Sequence, residues 1–320
     1  MPNYGLQRTC ARLRELVDLA VERNSARGIL LSGGLDSSII AAVASRNIRL
    51  TGMTVSLKDA PDVKFAKIVA AKFGINHTII PIDEKVAETA TQRTVRIMNS
   101  FDPMEIRNDA TLLIGLQAAK QHGLDQVMTG DAGDELFAGY NFLFRRNHNE
   151  LVKTLKDMWN VMRFASAPIA KSLGVTVKIP FLERELKEFA MGIDPALKIR
   201  KENDQTFGKW ILRKTFDLIL PPEITWRTKL PIERGSGTSI LPRYFSSRIS
   251  DIQFSKKKEE CLKSAGVRIR DKEHLFYYEA YEKEFGKPRG SGEGSKICRG
   301  CGAYLLEVMD YCRTCGASSP

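Results

Sequence analysis

The segment that most constrains this chain is the apolar run Gly28-Ile29-Leu30-Leu31, which empties into Ser32-Gly33-Gly34 and then Leu35-Asp36-Ser37-Ser38. The run reads as a buried strand, and the apolar residues 39–44 that follow read as a helix. Two glycines let the backbone turn tightly and come close to a ligand. The new helix presents free N–H groups and the positive end of its dipole, so the turn is an anion cradle suited to phosphate or pyrophosphate. No Gly-Lys-Ser/Thr closes it, which separates it from the Walker loop. Asp36 lies inside the turn, where a carboxylate repels phosphate unless a divalent cation bridges the two. That combination suits ATP with Mg²⁺ and a pyrophosphate leaving group.

Composition sets the remaining bounds. With 320 residues, 43% of them hydrophobic and 27% charged, the chain can bury one large core or two modest ones. No stretch is apolar for about 18 residues, so no membrane span is expected. Met1-Pro2-Asn3-Tyr4 lacks the pattern of a secretory leader, which makes the cytoplasm the expected compartment. The net charge of +11 permits a polyanionic partner without requiring one. Its densest cluster, Lys256-Lys257-Lys258, is followed by Glu259-Glu260 and reads as a solvated helical face.

Strand and helix signals alternate through the first part of the chain. Helical spacing covers residues 6–24, 62–73 and 110–122, and strands are expected at 49–57, 77–82 and 126–129. This alternation predicts an α/β fold with a doubly wound parallel sheet over 1–140. Ser32-Gly33-Gly34 and Gly130-Asp131 both follow strands, so they can face one site at the carboxyl edge of the sheet. Strand signals nearly vanish over 141–285, where a helical subdomain is expected. Residues 286–296 have linker composition. Residues 297–320 hold Cys298, Cys301, Cys312 and Cys315 as two Cys-x2-Cys pairs ten residues apart, the spacing of a four-thiolate Zn²⁺ site of structural type. Cys10 and Cys261 stand alone.

A second acidic segment occupies positions 129–140, Thr-Gly-Asp-Ala-Gly-Asp-Glu-Leu-Phe-Ala-Gly-Tyr. Three carboxylates in five positions are costly without compensation. One reading is a helix N-terminus enriched in acids. The sharper one is a Mg²⁺ site built on Asp36 and Asp134. Candidates for holding ATP and pyrophosphate are Leu31, Ser32, Gly33, Gly34, Asp36, Ser37, Ser38, Thr129 and Gly130.

Ser-Gly-Gly-Leu-Asp-Ser-Ser resembles the fingerprint of the PP-loop ATP pyrophosphatases, and the 130–140 segment resembles the second signature of the synthetase domain of asparagine synthetases. Further colinear stretches agree: 104–107 (Met-Glu-Ile-Arg), 177–186, 208–213 (Gly-Lys-Trp-Ile-Leu-Arg), 220–229 and 272–278. The resemblance spans about residues 6–286. It implies a PP-loop (HUP-like) core and an amide ligase that adenylates a carboxylate, aspartate being the first guess, releases pyrophosphate and lets ammonia or another amine attack. It also implies that Lys229 approaches the phosphates. Asp131, where many members carry the longer Glu, would accept the amine's proton. Arg107 and Glu135 are candidate substrate contacts, with Arg107 suited either to pairing with a carboxylate or to holding structure.

Two features depart from that pattern. Glutamine-dependent members begin with a glutaminase half and a nucleophilic Cys, whereas residue 2 here is Pro2. Ammonia is therefore expected free, or from a separate glutaminase or carrier-protein partner. The four-cysteine module is also foreign to the family. Together with the basic charge it suits a second reading, a PP-loop tRNA-modifying enzyme of thiolation or lysidine type that adenylates a base and grips RNA through the zinc module.

Overall fold

The structure, a computed structural model, describes residues 2–58, 60–202, 204–288, 296–305 and 311–318. Its main sheet has five strands: β1 (Gly28–Leu30), β2 (Thr51–Leu57), β3 (Asn76–Ile82), β4 (Gln126–Met128) and β5 (Thr176–Lys178). Their order is β3-β2-β1-β4-β5. The pairs β1–β2, β1–β4 and β4–β5 are parallel, with Gly28 opposite both Thr51 and Val127. The chain winds outward from β1 to β3 and then crosses to the other side of β1. This is a doubly wound sheet whose direction switches between β1 and β4. Ligands of such sheets bind beyond the strand carboxyl ends at that switch.

Along the chain the helices are α1 (Pro2–Arg23), α2 (Leu35–Ala44), α3 (Asp62–Phe73), α4 (Glu84–Met98), α5 (Pro103–Gln121), α6 (Gly133–Phe137), α7 (His148–Val161) and α8 (Ser166–Leu173). They continue with α9 (Arg184–Gly192), α10 (Pro195–Lys198), α11 (Trp210–Phe216), α12 (Pro222–Thr225), α13 (Ile232–Gly235), α14 (Leu241–Ser246), α15 (Asp251–Ala265) and α16 (Lys272–Phe285). Two small antiparallel pairs complete the described residues, β6 (Arg200–Glu202) with β7 (Gln205–Phe207), and β8 (Lys296–Ile297) with β9 (Tyr304–Leu305).

By compactness the chain forms two units that interleave in sequence. The first comprises residues 1–56, 61–80 and 115–231, and the second 57–60, 81–114 and 232–320. The sequence division at 140, 285 and 296 stays a proposal beside this one, and residues 289–295 of the expected linker lie outside the described set.

The first unit's core forms where periodicity places it. Leu13, Leu16, Val17, Ala20 and Val21 line one face of α1 and are almost fully buried with Ile29, Leu31, Met128 and Phe216. Helix α2 is buried on nearly every side, as its apolar run requires. Each such Leu or Ile contributes about 2 kcal/mol by leaving water.

In the second unit Phe101, Phe245, Leu275, Tyr277 and Tyr278 form a core that also contains all four C-terminal cysteines. Helix α15 has no buried residue, in keeping with the solvated face expected of its lysines.

Two elements correct the sequence reading of residues 141–285. Strand β5 joins the main sheet through Val177 opposite Val127, and β6–β7 adds a hairpin. Three-residue strands are too short to show alternation. Helix α4 was also unexpected, because its buried face consists largely of Ala87, Ala90, Thr91 and Thr94. Among the described residues no helix is long and apolar enough to cross a membrane.

Candidate active site

The loop between β1 and α2 takes the shape its glycines permit. Gly33 has φ +66°, and a Cβ there would lie 2.4 Å from the Ala66 nitrogen of α3, so no side chain fits. Gly34 precedes α2 with no side chain capping it, which leaves first-turn N–H groups of the ten-residue α2 without a side-chain acceptor. Ser32 Oγ lies 3.1 Å from Ser37 Oγ and accepts from the Gly34 nitrogen at 3.2 Å. Ser38 Oγ is buried with no hydrogen-bond partner. Leu31 is buried, its N–H bonded to the Met53 carbonyl at 2.8 Å and its carbonyl accepting from Thr54 Oγ1. Arg227 clamps the turn from outside. Its Nη1 donates to the Gly33 carbonyl at 3.2 Å, its Nη2 pairs with Asp62 at 2.6 Å, and its guanidinium lies 3.8 Å from the Phe65 ring centroid.

The second loop follows β4. Ala132 (φ +71°) and Ala138 (φ +57°) bracket the short helix α6 in left-handed conformations. Non-glycine residues adopt these only under constraint. The constraint is contact with the first loop. A Cβ on Gly133 would meet the Asp36 carboxylate at 2.5 Å, and one on Gly130 would come within 3.1 Å of the Ser37 nitrogen. Gly130 thus lies against the start of α2.

These loops bring Asp36 and Asp134 together on one ammonium. Lys209 Nζ contacts Asp36 Oδ2 and pairs with Asp134 Oδ1 at 2.8 Å, and Lys229 Nζ reaches the same Asp134 oxygen at 2.8 Å. Lys229 also lies 4.1 Å from the Tyr140 ring centroid. Asp36 Oδ1 is buried and has no hydrogen-bond partner among the described residues. Burial raises Asp36 against the pull of Lys209, with the charge of Asp134 adding to the rise. Burial also pushes Asp134 upward, but Lys209 and Lys229 outweigh it and hold that carboxyl at about 2. Lys209, buried, is held protonated by the two acids.

Lys209 is the residue sequence reasoning missed. It has φ +56° at the start of α11, and its nitrogen donates to the Phe137 carbonyl at 2.9 Å. The lysine in Gly208-Lys209-Trp210 is one of many in this chain, and only the left-handed backbone and the close Gly139 and Gly208 explain its aim. A Cβ on Gly139 would meet Asp134 Oδ1 at 1.9 Å.

Asp131 lies beside this cluster. Thr129 Oγ1 donates to its Oδ2 at 3.0 Å, and Ser166 Oγ at the start of α8 donates to the same oxygen. Both of these hydrogen bonds fall on that one oxygen. Burial raises the Asp131 carboxyl, and the two hydroxyls partly oppose that rise. Glu135 accepts from Tyr140 Oη at 2.5 Å, while its carbonyl accepts from Trp159 Nε1 at 2.9 Å. Arg107 belongs to the second unit, where it pairs with the buried Glu273.

The four cysteines also belong to the second unit. Their Sγ atoms all lie within 4.8 Å of one another, with Cys298–Cys315 at 3.7 Å and Cys301–Cys312 at 3.8 Å. Thiolates bound at about 2.3 Å to one tetrahedral ion stand about 3.8 Å apart, so the four fit a closed metal site.

Fold and site together define a parallel α/β protein in which the glycine turn before α2 is faced by a carboxylate–lysine cluster. The asparagine synthase family model matches residues 11–173 and 154–299. The chain belongs to that family. It is 30% identical over 232 residues to a glutamine-hydrolyzing asparagine synthetase of Asparagus officinalis, a match covering 66% of this chain and 39% of that protein. With glutamine-hydrolyzing asparagine synthetase 3 of Arabidopsis thaliana it shares 27% over 285 residues, covering 81% and 48%. The chain thus spans under half the length of these relatives. Among solved structures, the NMN synthetase of Francisella tularensis aligns with 16% identity and a TM-score of 0.30, covering 70% of this chain and 97% of that one.

Proposed function

We propose that this chain is an ATP-dependent amide ligase that cleaves ATP to AMP and pyrophosphate, adenylating a carboxylate for attack by ammonia or another amine. The observation that carries the reading is the convergence of Asp36, Asp134, Lys209 and Lys229 beside the first turn of α2. Two carboxylates and two ammoniums cancel while no polyphosphate is present. An arriving triphosphate would draw the lysines to its own oxygens and free the carboxylates. Asp36, with a buried oxygen lacking any partner, and Asp134 would then hold Mg²⁺. Magnesium bound there supplies charge neutralisation to the leaving pyrophosphate.

The protein's own groups do the remainder. Amides of residues 32–38 and the hydroxyls of Ser32, Ser37 and Ser38 cradle the phosphates. Lys229, the less buried lysine, follows charge onto the leaving group. Asp131, anchored through one oxygen, offers the other to the amine's proton. Leu31, Thr129 and Gly130 shape the floor, and Glu135 fixes Tyr140 against Lys229. Aspartate is the first carboxylate to try, as the family's name suggests. The four-thiolate centre binds zinc structurally.

A base-thiolating activity finds no support in the lone cysteines. Cys261 has its thiol pushed up to about 11 by burial and neighbouring glutamates, and Cys10 lies half-buried in α1.

Pyrophosphate release from Mg·ATP, measured with aspartate and ammonium together, with each omitted, and with bulk tRNA in their place, tests the reading. Release that needs both small molecules and yields asparagine supports it. Release driven by tRNA alone replaces it with an RNA-modifying enzyme.

A further inference from the structure

The second cysteine knuckle is hydrogen-bonded into the core of its unit. The Phe101 nitrogen donates to the Thr314 carbonyl at 2.7 Å, and Ser100 Oγ donates to the Arg313 carbonyl at 2.7 Å. Tyr311 Oη donates to Asp102 Oδ2. Gly316 (φ +73°) lies so close that a Cβ would stand 2.1 Å from Asp102 Oδ1. The first knuckle is fixed as well, its Gly300 carbonyl accepting from the Arg268 nitrogen at 2.8 Å.

Those contacts fall on the residues that start α5. The Asp102 carbonyl accepts from the Ile106 nitrogen at 2.9 Å, and its Oδ1 accepts from Met104 at 3.3 Å. Phe101, fully buried, packs its ring against His274, Tyr278 and Tyr281 at centroid distances of 5.3, 5.2 and 4.9 Å. One turn on, Arg107 pairs with Glu273, which also accepts from Tyr277 Oη at 2.9 Å. Among the described non-cysteine residues of 296–318, only Ala303 and Leu305 are buried hydrophobics.

We infer that metal in the four-thiolate centre is an internal brace for the second unit: it holds residues 312–315 in the shape that fixes Ser100, Phe101 and Asp102, and so sets the first turn of α5. Without the ion, four buried sulfurs at these separations lose the charge that gathers them. The knuckle relaxes, and the Thr314 and Arg313 carbonyls leave their donors. The inference rests on the proposed four-thiolate reading and is independent of the reaction catalysed.

Hydrogen exchange of the full chain, with zinc content measured on the same samples, tests it. On removal of zinc by a chelator under reducing conditions, the amides of Phe101 and Ile106 should exchange at least about tenfold faster, and added zinc should restore them. Peptides covering residues 28–44 should change less than about twofold. Protection over 100–107 that survives zinc loss, while residues 296–305 and 311–318 open, overturns the inference.

The double variant Ser100→Ala, Tyr311→Phe keeps every thiolate. It should still bind one zinc, yet exchange rapidly over 100–107 with zinc in place. Full protection there contradicts the proposed route. A chain that takes up no zinc overturns the four-thiolate reading, and this inference with it. Zinc uptake without any effect on 100–107 overturns the inference alone.

Discussion

Lys229 and Lys209 share one oxygen of Asp134 but differ in surroundings, with side-chain exposures of 29% and 6%. Lys209 is structural as well as electrostatic, since its loss leaves two acids facing each other. In the proposed reaction Lys229 is the lysine that follows charge onto the leaving group. Lys229→Ala should therefore lower the rate of pyrophosphate release by about 100-fold or more, with little change in thermal midpoint. A rate within about threefold of wild type would show that Lys229 does not touch the transition state.

Ser166 makes a second prediction. Its hydroxyl opposes the rise that burial imposes on Asp131, so Ser166→Ala should raise that carboxyl further. A base works deprotonated, and the acid limb of the rate profile should move to higher pH. An unmoved limb would remove Asp131 from the proton's path.

Lys198 is a different case. Wholly buried, with no hydrogen-bond partner for Nζ among the described residues and the Trp159 ring centroid 4.7 Å away, its amine is pulled down to about 7 by burial. The unfolded chain holds that proton up to about pH 10.5, so stability rises with pH from 7 toward 10.5 and is lost on the way down. Lys198→Met should stabilise the protein at pH 7 or below by about 1–3 kcal/mol, read as a higher urea midpoint at unchanged slope. A lower midpoint would mean that the amine has a partner it needs.

Elements were legible in proportion to their length and apolar periodicity. Helix α3 matches its expected span, and β2 and β3 differ from theirs by at most two residues, because their patterns extend over seven to twelve positions. Strand β5 and the β6–β7 hairpin escaped notice because three residues carry no period, whereas the equally short β1 and β4 were legible from the glycine turns that follow them. The site was legible where a motif dictates backbone shape, as at Ser32-Gly33-Gly34. It was illegible where a long side chain is aimed by tertiary contacts, as for Lys209 and Arg227. Ser166 begins a helix that packs against β5 and gave no signal in sequence.

Helix α16 holds the element-scale test. His274 within it is fully buried, with Nε2 unpartnered among the described residues and Nδ1 accepting from the Arg270 nitrogen at 3.2 Å. Burial, aided by the Arg270 charge, takes it down to about 3. The unfolded chain binds this proton below about 6.5, so the stability His274 contributes is complete above that pH and drains away toward 3. The total at stake is on the order of 4 kcal/mol. His274→Phe should flatten the pH dependence of unfolding between pH 6.5 and 4, and an unchanged slope would place the proton elsewhere.

At the scale of the whole chain, two units divide the work. One carries most of the sheet, the Ser32-Gly33-Gly34 turn and the carboxylate–lysine cluster, and the other carries the cysteine centre. Everything proposed for the reaction rests on where ATP breaks, because the proposal has the first unit's loops receive pyrophosphate. The deciding measurement is phosphorus NMR of the products formed from Mg·ATP with aspartate and ammonium. AMP and pyrophosphate in equal amounts are predicted, and both should vanish in Asp36→Asn. ADP and inorganic phosphate as products would contradict the account, whatever the acceptor proves to be.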